Sequence, residues 1–329
     1  MIDRETVFIL GAGASDPYGF ACGKNFNKKI IQDFHKSYID LMNESHGKDY
    51  ALYDSYKDNS LKFINKLQKS GIPSIDQFLA INKEFAEIGK AAITWCILEF
   101  EKKCLEPWSI SGVDMDWYSY LYKEMISSIK SPRDIELFGQ NKISFITFNY
   151  DRTLEHFLYT NLKEAMPESI PDDNIIKEVN KIFISHVYGE IAPLPWQSDN
   201  GLAFGGKLVF DRLNDISKKN IYLIDQIKNK GSFGWEQLIE AEKIIFLGFG
   251  YAEENMDVLE LPQLLKDHHD KIIFGTGLGL TTDEIDRKKD SFKVVRPRHQ
   301  QIGFPKKDIN ILTYDCLELL RNCLFIDHI

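Results

Sequence analysis

The 329-residue sequence has no C-x-x-C pair among its cysteines, and the five it carries (Cys22, Cys96, Cys104, Cys316, Cys323) are odd in number. Both facts argue against a zinc knuckle and against a disulfide framework, so a reduced, cytoplasmic setting is expected. No stretch approaches the ~18 consecutive apolar residues of a membrane span. The first residues lead into only a short apolar run before glycines begin, so no signal peptide is expected. Positive charge is in deficit: 40 Lys+Arg against 49 Asp+Glu leaves a net charge of −9. With no long basic run, the chain lacks the overall field of a direct nucleic-acid or anionic-membrane binder, although a local basic patch is compatible with these totals. Internal repeats and low-complexity tracts are missing as well.

What is present is a series of short, continuous apolar runs of the kind that form strands buried on both faces of a parallel sheet. They are Val7–Leu10, Ile143–Thr147, Ile182–Ile184, Ile221–Ile224, Ile244–Leu247 and Ile272–Phe274. Together they predict an α/β fold, a Rossmann-like, mostly parallel sheet with helices on both faces. Several runs end in glycine or polar residues, and ligands of open α/β sheets gather at those carboxyl ends. The long interval between the first two runs holds no comparable one. Within it, Ser74-Ile75-Asp76-Gln77 has the spacing of a capping box, directly after Pro73. Phe78, Ile81, Phe85, Ile88, Ala92 and Trp95 then fall on one face of a long helix, and Leu121, Met125 and Ile129 continue a helical pattern. The expected organisation is a nucleotide-binding-type domain from 1–30 and 140–329, interrupted by a helical insertion at 31–139. Sheet-covering crossover helices are the alternative. Glu190 to Gly206, rich in proline and glycine, reads as a long loop of the sort that makes lids.

Four segments carry candidate chemistry. Gly11-Ala12-Gly13-Ala14-Ser15 follows the first strand, where glycines let backbone amides approach a phosphate; a ligand-free tight turn reads equally well. Thr147-Phe148-Asn149-Tyr150-Asp151-Arg152 crowds polar residues at a strand end, as a site or as a helix cap. Ser185-His186-Val187-Tyr188-Gly189-Glu190 would point His186, Tyr188 and Glu190 to one side of an extended chain. Gly248-Phe249-Gly250-Tyr251-Ala252-Glu253-Glu254-Asn255 follows the fifth run. Blander readings attach elsewhere. His268-His269, between Asp267 and Asp270, reads as a solvated helix end rather than a metal site. Gly275-Thr276-Gly277-Leu278-Gly279 is a second phosphate-type loop or a simple turn, and Cys316 and Cys323 are buried thiols on a C-terminal helix.

Taken in order, G-A-G-x-S, T-x-N-x-D, a strand-end histidine with glycine nearby, and strand-G-x-G resemble the sirtuin superfamily. The resemblance is closest to bacterial sirtuin-like proteins of antiphage defence, and Pro73-Ser74-Ile75-Asp76-Gln77-Phe78-Leu79 is similar to a segment of their insertions. It covers roughly 1–30 and 140–280. It implies binding of NAD and cleavage of its nicotinamide–ribose bond, with NAD as substrate and no metal. Gly11, Ala12, Gly13, Ala14 and Ser15 would cradle the pyrophosphate. Asn149 would hold the nicotinamide ribose and orient water, supported by Thr147, and Asp151 would lie near the carboxamide. Gly248, Phe249, Gly250 and Asn255 would face the adenosine half.

The chain departs from the pattern in two places. Tyr188-Gly189 stands where the family has His-Gly, so His186, two residues earlier, is expected to be the base with Tyr188 lining the site; a local bulge would reverse the two. The alternative is an NAD or ADP-ribose sensor without turnover. The zinc module of protein deacylases is missing, and Asp16-Pro17-Tyr18-Gly19-Phe20 replaces their D-F-R, which makes deacylation the less expected activity. The resemblance further implies a defence effector that depletes NAD, held in check as a homo-oligomer or by a partner such as a HerA-like ATPase. The Glu190–Gly206 loop is the expected gate.

Overall fold

The computed structural model describes residues 1–46, 50–104, 116–227, 233–268, 271–292 and 309–325. Six strands form one sheet: β1 (Thr6–Leu10), β2 (Ile143–Thr147), β3 (Phe183–His186), β4 (Lys243–Leu247), β5 (Ile272–Thr276) and β6 (Ile309–Leu312), in the order β3-β2-β1-β4-β5-β6. Every pairing is parallel. β1 and β4 are buried at each position, which a parallel sheet requires when helices cover both faces. This is the Rossmann-like α/β architecture expected from the apolar runs, with the doubly wound strand order. Register aligns the strand ends: Leu10 lies beside Thr147 and Leu247, and Thr147 beside His186. The loops that leave those strands therefore emerge side by side. Among the described residues no helix is long and apolar enough to cross a membrane.

Two strand assignments change. Ile221–Ile224 is not a strand: Ile221 and Leu223 are buried, but Tyr222 makes a lone backbone bond to the Tyr188 carbonyl, and Ile224 starts a short helix. An apolar run reports burial and does not by itself distinguish a strand from a buried loop. The sixth strand is instead β6, whose Ile-Asn-Ile-Leu alternates buried and half-buried positions at the sheet edge.

Between β1 and β2 the described residues form helices and no strand, and they share one hydrophobic cluster with the sheet. The long helix predicted from Phe78 to Trp95 is broken. One helix spans Ile75–Ile81, and after a single 3-10 turn another runs Ala86–Cys104. Asn82 breaks it by turning both its backbone N–H and its side-chain amide onto the Phe78 carbonyl, at 2.9 Å each. Ile81 is consequently 72% exposed, whereas Phe78, Ile88, Ala92 and Trp95 are buried. Ser74 caps the first helix through the Gln77 amide, but the Gln77 side chain does not close the box and reaches Glu254 at 3.0 Å. Leu121 and Met125 are buried on the helix Trp117–Ile126, and Ile129 lies beyond its end.

The helix Leu261–Asp267 stops just before His268, with His269 and Asp270 outside the described residues. Cys316 and Cys323 are buried on the helix Cys316–Cys323. The buried Lys243 ammonium donates to the Cys323 and Leu324 carbonyls, satisfying that helix end.

Candidate active site

The sheet reverses its order at β1, between β2 and β4, and a cavity of about 950 Å³ opens there at the carboxyl ends of the strands. That is the upper end of the size range of small-molecule sites, at the switch point where such sheets hold ligands. Its floor is two glycine turns pressed together. The Gly11 and Gly13 amides donate to the Leu247 and Gly248 carbonyls at 3.0 and 2.9 Å. Gly248 adopts φ +56°, and a Cβ there would lie 2.0 Å from the Ala14 nitrogen. Its own amide donates to Thr276 Oγ1 at 2.8 Å, tying in the turn after β5. These glycines serve loop-to-loop contact as well as access for a ligand.

Asn149 stands beside this floor. Both hydrogens of its amide are engaged, with Gly11 O and Ser15 Oγ, each at 3.0 Å, which fixes the orientation and leaves Oδ1 to accept from a ligand hydroxyl. Its backbone N–H donates to Thr147 Oγ1 at 3.0 Å. Ser15 passes its own proton toward Asp151 Oδ2 at 2.8 Å, and Asp151 Oδ1 accepts from the backbone N–H of Thr153 at 3.2 Å and from its hydroxyl. Asp151 therefore satisfies the first amide of the helix Thr153–Ala165 and anchors the Ser15–Asn149 pair at once. Burial raises its pKa, and the Thr153 and Ser15 bonds oppose that rise.

Of the expected site residues, Gly11, Ala12, Gly13, Ser15, Asn149, Asp151, Tyr188, Gly248, Phe249, Gly250 and Asn255 line the cavity. Ala14 and Thr147 are buried behind it: Ala14 O accepts from Trp117 Nε1 at 2.8 Å. Tyr188 reaches Asn255 Oδ1 at 2.5 Å, so two residues expected on different halves of a dinucleotide touch each other.

The placement of His186 is a correction. β3 ends at His186 and the chain turns at Val187–Tyr188, so strand alternation no longer applies and the two side chains diverge. His186 does not line the cavity. It packs against the helix Thr153–Ala165, with Nε2 at 2.6 Å from Glu155 Oε1 and Nδ1 at 2.9 Å from the Asn149 carbonyl. Burial disfavours its charge, but Glu155, Glu190 and the Asn149 carbonyl together outweigh burial and raise the pKa to about 9. An imidazolium donating through both nitrogens has no lone pair for a substrate. Its Nδ1 bond to the Asn149 carbonyl holds that stretch of backbone. Glu155, His186 and Glu190 each bring one metal-ligand-type atom within 4.8 Å of the others.

The gate is a second correction. No residue of Glu190–Gly206 lines the cavity. The loop is held by Arg152, which pairs with Glu101 through two bonds (3.0 and 2.6 Å) and donates to the Ala192 and Leu202 carbonyls at 3.1 and 2.6 Å. Glu101 also takes the Gly205 amide at 2.9 Å. Arg152 and Glu101 are both fully buried. The wall of the cavity comes instead from the helical stretch between β1 and β2, through Ser74–Gln77 and Trp117, and from the Thr276–Leu278 turn after β5. Asp76 was absent from the expected set, although its motif was visible.

The cavity lining includes Asp16, Asp76, Asp116, Asp151, Glu254 and Asp315, and no Lys, Arg or His among the described residues. Fold and cavity define a class, a doubly wound parallel α/β protein with a large acidic cavity at the switch point. No family model matches the chain, and no curated protein matches it.

Proposed function

We propose that this chain is an NAD glycohydrolase, cleaving NAD+ to nicotinamide and ADP-ribose. The observation that carries the reading is the Ser15–Asn149–Asp151 network set beside paired glycine turns at the switch point. The pyrophosphate would rest against the Gly11–Ser15 turn, where the glycines permit close backbone approach; the Gly11, Gly13 and Ala14 amides are already bonded to carbonyls, and the cavity lining offers no cationic side chain among the described residues. Asn149 Oδ1 would accept from a ribose hydroxyl. Six carboxylates favour the positively charged nicotinamide ring and the oxocarbenium-like ribose formed as it leaves. Nicotinamide departs as a neutral molecule, so holding the ribose and excluding bulk water carry much of the catalysis. The sirtuin resemblance extends the proposal to a defence effector that depletes NAD, controlled by self-association or a HerA-like partner.

The test is chromatographic. Wild-type protein incubated with NAD+ should release nicotinamide and ADP-ribose in equal amounts, and Asn149→Ala should lose about 10²-fold or more of that rate while keeping its fold. The second reading, an NAD or ADP-ribose sensor, is favoured by the missing histidine in the cavity lining; saturable binding without release would select it.

A further inference from the structure

The helix Ile75–Ile81, between β1 and β2, brings a carboxylate to the cavity that Asn149 and Tyr188 also line. Asp76 lies in its first turn, is half-buried and lines the cavity. Tyr150, the residue after Asn149, donates its phenol proton to Asp76 Oδ1 at 2.6 Å, and its ring centre is 6.0 Å from that of Tyr188. Five further carboxylates line the cavity, most of them hydrogen-bonded as Asp76 is. Asp151 is held by Ser15 and Thr153, Glu254 by Gln77, Asp116 by Tyr18 and Ser119, and Asp315 by the Glu318 amide it caps. Asp16 has only the Cys22 thiol at 3.8 Å, in an exposed position.

We infer that Asp76, contributed by the insertion and oriented by Tyr150, is the general base that activates water for attack on the nicotinamide ribose. The inference rests on the glycohydrolase reading. In the step, the water oxygen bonds to C1′ as the C1′–N bond breaks. That bond's electron pair goes to the pyridinium nitrogen, which leaves as neutral nicotinamide. The water proton passes to Asp76 Oδ2 and reaches solvent when ADP-ribose departs. Tyr150 keeps Oδ1 occupied and so directs Oδ2 to the water. Burial raises the Asp76 pKa, as suits a carboxylate base, and hydrogen bonds from Tyr150, its own backbone amide and Ser74 counter that rise.

The experiment follows nicotinamide release from NAD+ across pH by the full-length protein, Asp76→Asn and Tyr150→Phe, with NAD+ affinity measured by calorimetry. Asn can still accept from Tyr150, so the fold should survive. Asp76→Asn should lose roughly 10²–10⁴-fold in kcat with little change in affinity. Tyr150→Phe should move the acidic limb of the kcat profile to higher pH, because the carboxylate loses the bond that favours its ionised form. A merely structural role for Asp76 would not move that limb. In Asp76→Ala, azide, a nucleophile that needs no deprotonation, should restore nicotinamide release. Wild-type turnover with Asp76→Asn within about tenfold of it overturns the base assignment alone. An acidic limb unmoved in Tyr150→Phe does the same, and decides the matter should Asp76→Asn fail to fold. A wild type without turnover overturns the glycohydrolase reading and this assignment with it.

Discussion

Burial opposes charge on the His186 imidazole, but Glu155, 2.6 Å away, together with Glu190 and the Asn149 carbonyl raises its pKa to about 9. Its pKa is raised on folding, so its stabilising contribution is complete below the unfolded value near 6.5 and is lost as pH rises through about 9. Wild-type unfolding free energy should fall across that window by an amount on the order of 3 kcal/mol. His186→Gln should flatten the slope; denaturant titrations at several pH values check this, and equal slopes would remove the imidazolium from the account. The residue was legible as special from the sequence, but its direction was not. Strand periodicity pairs His186 with Tyr188 only while the strand lasts, and it ends at His186. Gly189, at φ +78° with Asn220 O 1.8 Å from where a Cβ would sit, marks the turn that separates them.

Between elements, the site is held by contacts that leave little local trace in the chain. The Gly11 and Gly248 turns announce themselves as glycine after an apolar run. That the two press on each other requires the sheet order to be known. Gly248→Ala forces a left-handed backbone and a clash with Ala14, and should cost roughly 2–4 kcal/mol by thermal or denaturant unfolding. A wild-type midpoint in that variant would contradict the packing described. The Arg152–Glu101 pair joins the residue after Asp151 to the inserted helix Ala86–Cys104 and to the long loop, and removing one partner strands a buried charge. Arg152→Leu should therefore destabilise by about 3–5 kcal/mol. Arg152→Leu with Glu101→Leu should lose less than the sum of the single variants, and additive losses would show that the charges do not interact. Neither residue belongs to a local pattern, and their partnership spans 51 positions, so it stayed invisible until the fold was in hand. The core strands were legible because unbroken apolar runs are what double-sided burial demands. β6 was not, since an edge strand needs only one buried face.

For the whole molecule, the net charge of −9 is also written into the cavity, which has carboxylates and no cationic side chain among its described lining residues. Such a cavity should prefer NAD+, with its cationic ring, over NADP+, whose extra phosphate finds no arginine or lysine. Calorimetric titration should show NADP+ binding at least about tenfold weaker, at a cost of 1.4 kcal/mol or more, and equal affinities would contradict the electrostatic reading. The six-stranded sheet and its switch point locate the cavity, while the inserted helices supply its wall. We propose that NAD+ is bound and cleaved at that junction, and a crystal structure of the 329-residue protein with ADP-ribose is the direct test. The pyrophosphate is expected against the Gly11–Ser15 turn, the terminal ribose beside Asn149 and Asp76, and His186 out of contact. ADP-ribose seated elsewhere, or a cavity without ligand at saturating concentration, would contradict it.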